Sequence, residues 1–110
     1  MKKIFVALTI TLIFSSYANA AVYKGQKIFI KKCVQCHNLR RAFVSSKTTY
    51  EWETLMLDNG KELAYVHLKD EKAKKSWEYF KSSSYTKKTK HLEDFLLEYA
   101  KDSGNVPACN

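Results

Sequence analysis

The sequence predicts an all-α domain, a small bundle of about four helices. No stretch alternates apolar and polar residues at the period of a strand. Only Gly25, Gly60, Gly104 and Pro107 punctuate the 110 residues, which leaves little of the turn chemistry that hairpins need. There is no internal repeat and no low-complexity segment, and apolar residues recur at helical spacing between recognisable start and stop signals.

The chain opens with the parts of a secretory signal. Lys2 and Lys3 precede an apolar run from Ile4 to Phe14, and Ala18-Asn19-Ala20 forms a small-x-small cleavage site. The run is too short to span a bilayer, and no later segment is apolar enough to do so. Residues 1–20 are therefore expected to be removed, leaving a single mature domain at 21–110 in the periplasm.

The first helix of that domain is expected from about Lys24 into Cys33, with Gly25 and Phe29 one turn apart on one face. Asn38 to Lys47 reads as an irregular basic stretch. Thr48-Thr49-Tyr50-Glu51 is a capping box, a hydroxyl and a carboxylate three residues apart that satisfy each other's backbone N–H groups, and it predicts a second helix start. That helix carries Trp52, Leu55 and Met56 on its inner stripe and closes at Asn59-Gly60, where a left-handed residue is tolerated. Leu63, Val66 and His67 follow at helical spacing. Asp70 is an N-cap candidate for a third helix with Ala73, Trp77 and Phe80 on one face, and Ser82-Ser83-Ser84 is expected to end it. The last helix is predicted from about Lys87 to Asp102, with Leu92, Phe95, Leu96 and Tyr99 inward, before Gly104 and a loose tail.

Within this frame Cys33-Val34-Gln35-Cys36-His37 carries the chemistry. A C-x-x-C-H run is the attachment signature of a c-type haem: two thiols three positions apart add across the two vinyl groups of one macrocycle, and the adjacent imidazole becomes the proximal iron ligand. A thioredoxin-like redox pair, a zinc half-site and coincidence are the alternatives. A redox pair would follow a strand, and none is predicted. A zinc site would need a second ligand pair, and Cys109 has neither His nor Cys at that spacing. Export strengthens the haem reading, because covalent attachment and oxidised cysteines belong outside the cytoplasm. One motif implies one haem, covalent through Cys33 and Cys36, with His37 on the iron. Cys109 is either an inert tail thiol or a partner in an intermolecular disulfide.

The net charge is +8, of which Lys2 and Lys3 contribute two, leaving +6 on a domain of 90 residues. Nucleic acid is a poor partner for an exported protein, so an acidic redox protein or an anionic membrane surface is favoured, with the chain a monomer or weak dimer. Lys31, Lys32, Arg40 and Arg41 flank the motif, where they could surround an exposed haem edge.

Gly25-x-x-x-Phe29-x-x-x-Cys33-x-x-Cys36-His37, with Leu92-x-x-Phe95-Leu96-x-x-Tyr99 in the closing helix, resembles the small class I bacterial cytochromes c. The resemblance implies a helical fold wrapped around one covalent haem, in which the glycine and aromatic of the first helix pack against the aromatic of the last. It also implies service to periplasmic oxidoreductases, molybdenum enzymes among them, or to respiratory-chain components. The middle of the chain departs from that pattern: Asn38 to Lys47 lacks the Gly-Pro that follows the haem histidine, and Ser82 to Lys90 lacks the methionine ligand. Trp52-x-x-x-Met56 followed by His67 is more similar to dihaem cytochromes c with two histidine ligands.

The sixth iron ligand sets potential and reactivity. His67 is the leading candidate, then Met56, then His91, with an empty position as the remaining alternative. Met56 on an inner stripe is also ordinary core filler, and a lone inward histidine is also an ordinary core residue. The functional expectation is a single-electron carrier and not an enzyme, since no acid/base constellation is legible. The alternative is a haem-based sensor or scavenger of gases, with an open or weakly filled sixth site.

Overall fold

The computed structural model describes residues 20–105. The expected export signal, apart from Ala20, and Cys109 lie outside these residues. The described chain is all helical, without a strand, and none of its helices is long and apolar enough to cross a membrane. Five α-helices and a 3-10 segment replace the expected four: α1 (described over 20–32), α2 (Arg41–Val44), α3 (Thr49–Leu68), a 3-10 turn (Glu71–Ser76), α4 (Trp77–Lys81) and α5 (Ser83–Glu98).

α1 stops before Cys33, but the hydrogen-bonding rhythm continues for one turn. The Cys33 amide donates to Phe29 O at 2.9 Å and the His37 amide to Cys33 O at 2.8 Å, so the motif occupies a helix-like turn and not the helix itself. The basic stretch expected to be irregular contains α2. Its N-cap, Arg40, has a positive φ of 54°, which sharply separates this short helix from the motif.

α3 begins as its capping box dictates: the Thr48 hydroxyl accepts from the Glu51 amide at 3.2 Å, and the Glu51 carboxylate accepts from the Thr48 amide. The expected stop at Asn59-Gly60 appears as a break inside α3. Asp58, Asn59 and Gly60 all take left-handed angles, with φ of 52°, 61° and 77°, and the chain then resumes as a second helical arm carrying Leu63, Val66 and His67. The break is tied to α5: the Tyr85 hydroxyl donates to Gly60 O at 2.5 Å, and the Asn59 side-chain amide donates to Thr86 O at 3.0 Å.

Asp70 caps as expected, accepting from the Lys72 amide at 2.9 Å, although the helix it starts is 3-10 before it becomes α4. The serine run both ends α4 and starts α5. Ser82 accepts from the Tyr85 amide at 3.2 Å, a cap that starts the last helix at Ser83, well before the predicted Lys87. α5 also ends earlier than predicted, because the chain beyond it turns back onto α3. Lys101 N donates to Lys47 O at 2.8 Å, and the Asp102 carboxylate accepts from both the amide and the hydroxyl of Thr49 at 2.7 and 2.8 Å.

Two apolar clusters result. The larger joins Phe29, Val44, Trp52, Met56, Leu92, Phe95, Leu96 and Ala100; the smaller joins Ala64, Phe80 and Tyr85, with Leu63 packed against both. α1 meets α5 at Gly25. A β-carbon there would overlap the His91 carbonyl oxygen and lie 2.7 Å from Phe95 Cβ, so only glycine permits this approach. One turn on, the rings of Phe29 and Phe95 pack at 5.4 Å.

Candidate functional site

Between the two clusters lies a cavity of about 600 Å³, within the range typical of cofactor sites. Phe29, Trp52, Leu63, Val66, Phe80 and Leu92 are among the apolar side chains that line it. Cys33, Cys36 and His37 line it from the turn after α1, and His67 lines it from the second arm of α3. The break in α3 makes this possible, because it re-aims the chain after Met56 and brings the later histidine to the motif.

The two imidazoles stand 6.0 Å apart between ring centres, with their planes 82° apart. An imidazole nitrogen bound to a metal at about 2.0–2.1 Å places its ring centre roughly 3.2 Å away, so two such ligands in line sit roughly 6.4 Å apart. The observed ring-centre spacing is close to that value. His67 Nδ1 lies 2.7 Å from Leu63 O. A carbonyl only accepts, so Nδ1 carries the proton and Nε2 is left as the electron-pair donor, the arrangement usual for metal-binding histidines. The backbone of His67 is fixed as well, with the Trp77 indole donating to its carbonyl at 2.8 Å.

Burial holds the His37 imidazole below its ordinary pKa, helped by the nearby His67 and Lys47, so the ring is neutral and ready to donate. Burial pushes the Cys33 thiol up to about 12, with the neighbouring Cys36 adding to the effect. Cys33 and Cys36 are not joined by a disulfide. Among the described residues no three His, Cys, Asp or Glu side chains are placed to share a bare metal ion.

The other two candidate ligands lie elsewhere. Met56 is fully buried in the larger cluster but does not line this cavity; it borders a separate hollow of about 440 Å³ with Glu53, Asn59, Thr89 and Glu93. His91 sits at the α1–α5 crossing with its carbonyl against Gly25, and it too is absent from the cavity wall. Of the four flanking cations, Lys32 lines the cavity, whereas Lys31, Arg40 and Arg41 do not. Lys47, Asp70 and Lys72 line it as well.

Five residues at the site have roles that the local sequence does not show. Phe43, in the stretch expected to be irregular, stacks on His37 at 4.0 Å with planes 16° apart. Trp77 and Phe80 were legible as an inward face, but not their partner: Phe80 packs on the His67 ring at 4.3 Å, and Trp77 holds its carbonyl. Lys47 and Lys72 gave no local signal. No known protein family, curated protein or solved structure matches the chain.

Proposed function

We propose that this chain is a periplasmic single-haem c-type cytochrome, its helices wrapped around the cofactor, which passes single electrons to or from an oxidoreductase or a respiratory-chain component. The observation that carries the reading is the meeting of Cys33, Cys36, His37 and His67 in one largely apolar cavity, with the imidazoles at the spacing of two ligands to one metal.

In this reading Cys33 and Cys36 would hold the haem through two thioethers, and His37 and His67 would ligate its iron. The bound haem supplies a one-electron iron couple whose potential its axial ligands tune. The chain's own work is to hold and shield. Phe29, Trp52, Leu92 and Leu96 would give the bound group an apolar wall; the Leu63 carbonyl fixes the His67 tautomer; Trp77 restrains the backbone behind it. Lys32, Lys47 and Lys72 give the edge a positive potential suited to an acidic redox partner, and charges so placed act mainly on the rate of encounter. A molybdoenzyme that uses this chain as its small redox subunit is one such partner, by analogy with the cytochromes it resembles.

The test is expression with a haem-attachment system. The protein should keep its colour through acidified organic extraction, and its mass should equal the chain from Ala21 plus one haem. Release of the colour into solvent would end the proposal. Carbon monoxide separates the carrier from a gas-binding protein: the reduced protein should refuse it while His67 holds the sixth position, and rapid stoichiometric uptake would favour the open-site alternative.

A further inference from the structure

We propose that Phe43 and Phe80 are positioning residues that hold the two axial imidazoles with their planes crossed; the inference rests on the bis-histidine reading above. An imidazole bound through one nitrogen can swing about that bond unless its faces are blocked, so the plane it adopts is set by its neighbours. Here each ring lies against a phenyl that is itself clamped. Phe43 stacks on His37 at 4.0 Å and 16°. Behind it, Phe43 lies nearly parallel to Phe29 at 6.5 Å and edge-on to Trp52 at 5.8 Å. Trp52 is anchored in turn by its indole N–H, which donates to Val44 O at 2.9 Å.

His67 is held by a separate set of contacts. Phe80 covers its ring at 4.3 Å and 31°, and Phe80 is wedged between Tyr79 at 5.1 Å and Tyr85 at 5.0 Å. The Nδ1 hydrogen bond to Leu63 O, within the same helix, removes the remaining freedom of the ring. Aromatic pairs at these separations have preferred geometries and resist rotation. The two clamps come from different parts of the chain and share no residue, and together they leave the imidazole planes 82° apart.

The angle has an electronic consequence. Axial ligands with parallel planes donate into the same iron π orbital and split it from its partner. Crossed planes donate into both and leave them nearly degenerate. A ferric low-spin centre with crossed imidazoles therefore gives a strongly anisotropic electron paramagnetic resonance signal dominated by one large low-field g value, whereas parallel planes give a rhombic three-line signal.

The experiment is low-temperature resonance spectroscopy of the oxidised holoprotein, wild type and variants. Wild type should show the large-g signal. In Phe43→Leu most of that signal should be replaced by a rhombic one, and Phe43→Tyr, which keeps the stacked ring, should retain it. Phe80→Leu probes the distal clamp independently should Phe43→Leu fail to accumulate. A rhombic wild-type signal with two nitrogen ligands would overturn the crossed-plane proposal and leave the bis-histidine reading standing. A large-g signal unchanged in both leucine variants would remove the phenyls from the positioning role. A high-spin centre, or a sulfur-to-iron charge-transfer band, would instead overturn the reading on which the proposal rests.

Discussion

Replacing Gly60 by alanine should cost about 3–4 kcal/mol of stability and, if the chain is the cytochrome proposed above, disturb the haem spectrum, although residue 60 does not line the cavity. Gly60 has a φ of +77°, and a β-carbon there would overlap the Tyr85 hydroxyl and lie 2.6 Å from the Thr89 methyl. The left-handed conformation contributes about 1–2 kcal/mol for a residue with a side chain. Forcing a methyl into the packed break contributes about 1–3 kcal/mol. Displacing Tyr85 from the Gly60 carbonyl adds about 1 kcal/mol. Reduced freedom of the unfolded chain offsets about 0.4–1 kcal/mol of this. For a domain of this size the loss corresponds to a fall in Tm of about 15–25 °C. Gly104 is the internal control: its φ is +78°, but nothing lies within 4 Å of the added carbon, so Gly104→Ala should cost about 1 kcal/mol or less. Urea unfolding followed by circular dichroism gives both values, and the Tyr85→Phe background should recover part of the Gly60→Ala loss by removing the hydroxyl. Equal costs at the two glycines would refute the reasoning. So would an unperturbed haem spectrum in Gly60→Ala, since the arm that carries His67 hangs from this break.

Three further outcomes follow from the same structure. His67→Ala should open the iron to carbon monoxide, while Met56→Leu, a near-isosteric change in the core, should leave the spectrum unchanged and cost less than about 1.5 kcal/mol; loss of an iron–sulfur charge-transfer band in Met56→Leu would make Met56 the ligand. Charge reversal at Lys47 and Lys72 should slow electron transfer with the native partner about tenfold at low salt and less as salt screens it, with a smaller effect for Arg40 and Arg41, as stopped-flow rates across an ionic-strength series will show. Hydrogen bonds from the amide and hydroxyl of Thr49 hold the Asp102 carboxyl below its ordinary pKa, so they favour the ionised form. The stability they confer should be complete above the ordinary aspartate value of about 3.9 and disappear as pH falls through the lowered folded value. The urea midpoints of wild type and Asp102→Ala should therefore converge in acid, and a gap that persists there would show that the carboxylate's charge is not what Thr49 binds.

What the sequence determined on its own is the chemistry confined to a few neighbouring residues. The spacing of Cys33, Cys36 and His37 is written in five positions. The reciprocal cap of Thr48 and Glu51 spans four, and the stop at Asn59-Gly60 depends on the backbone freedom of the residues that make it. Gly25 and Phe29 were legible as one face of a helix, and their packing on Phe95 is what that face allowed. Periodicity could say that Met56, His67 and His91 each had an inward option, but not which of them share one void. That choice belongs to the tertiary structure. The break in α3, tied down by Tyr85 and Asn59, turns His67 toward the motif, Met56 borders a different hollow, and close packing at Gly25 keeps His91 at a helix crossing. The ends of α5 were misplaced for a related reason: Ser82 serves two helices at once, and the chain after Glu98 bonds to Lys47 and Thr49, some fifty residues earlier. Local signals record what a residue's own backbone prefers, whereas the meeting of His67 with the motif, the phenyl stacked on His37 and the lysines that line the cavity are defined by distances between segments, and only the packed chain sets those.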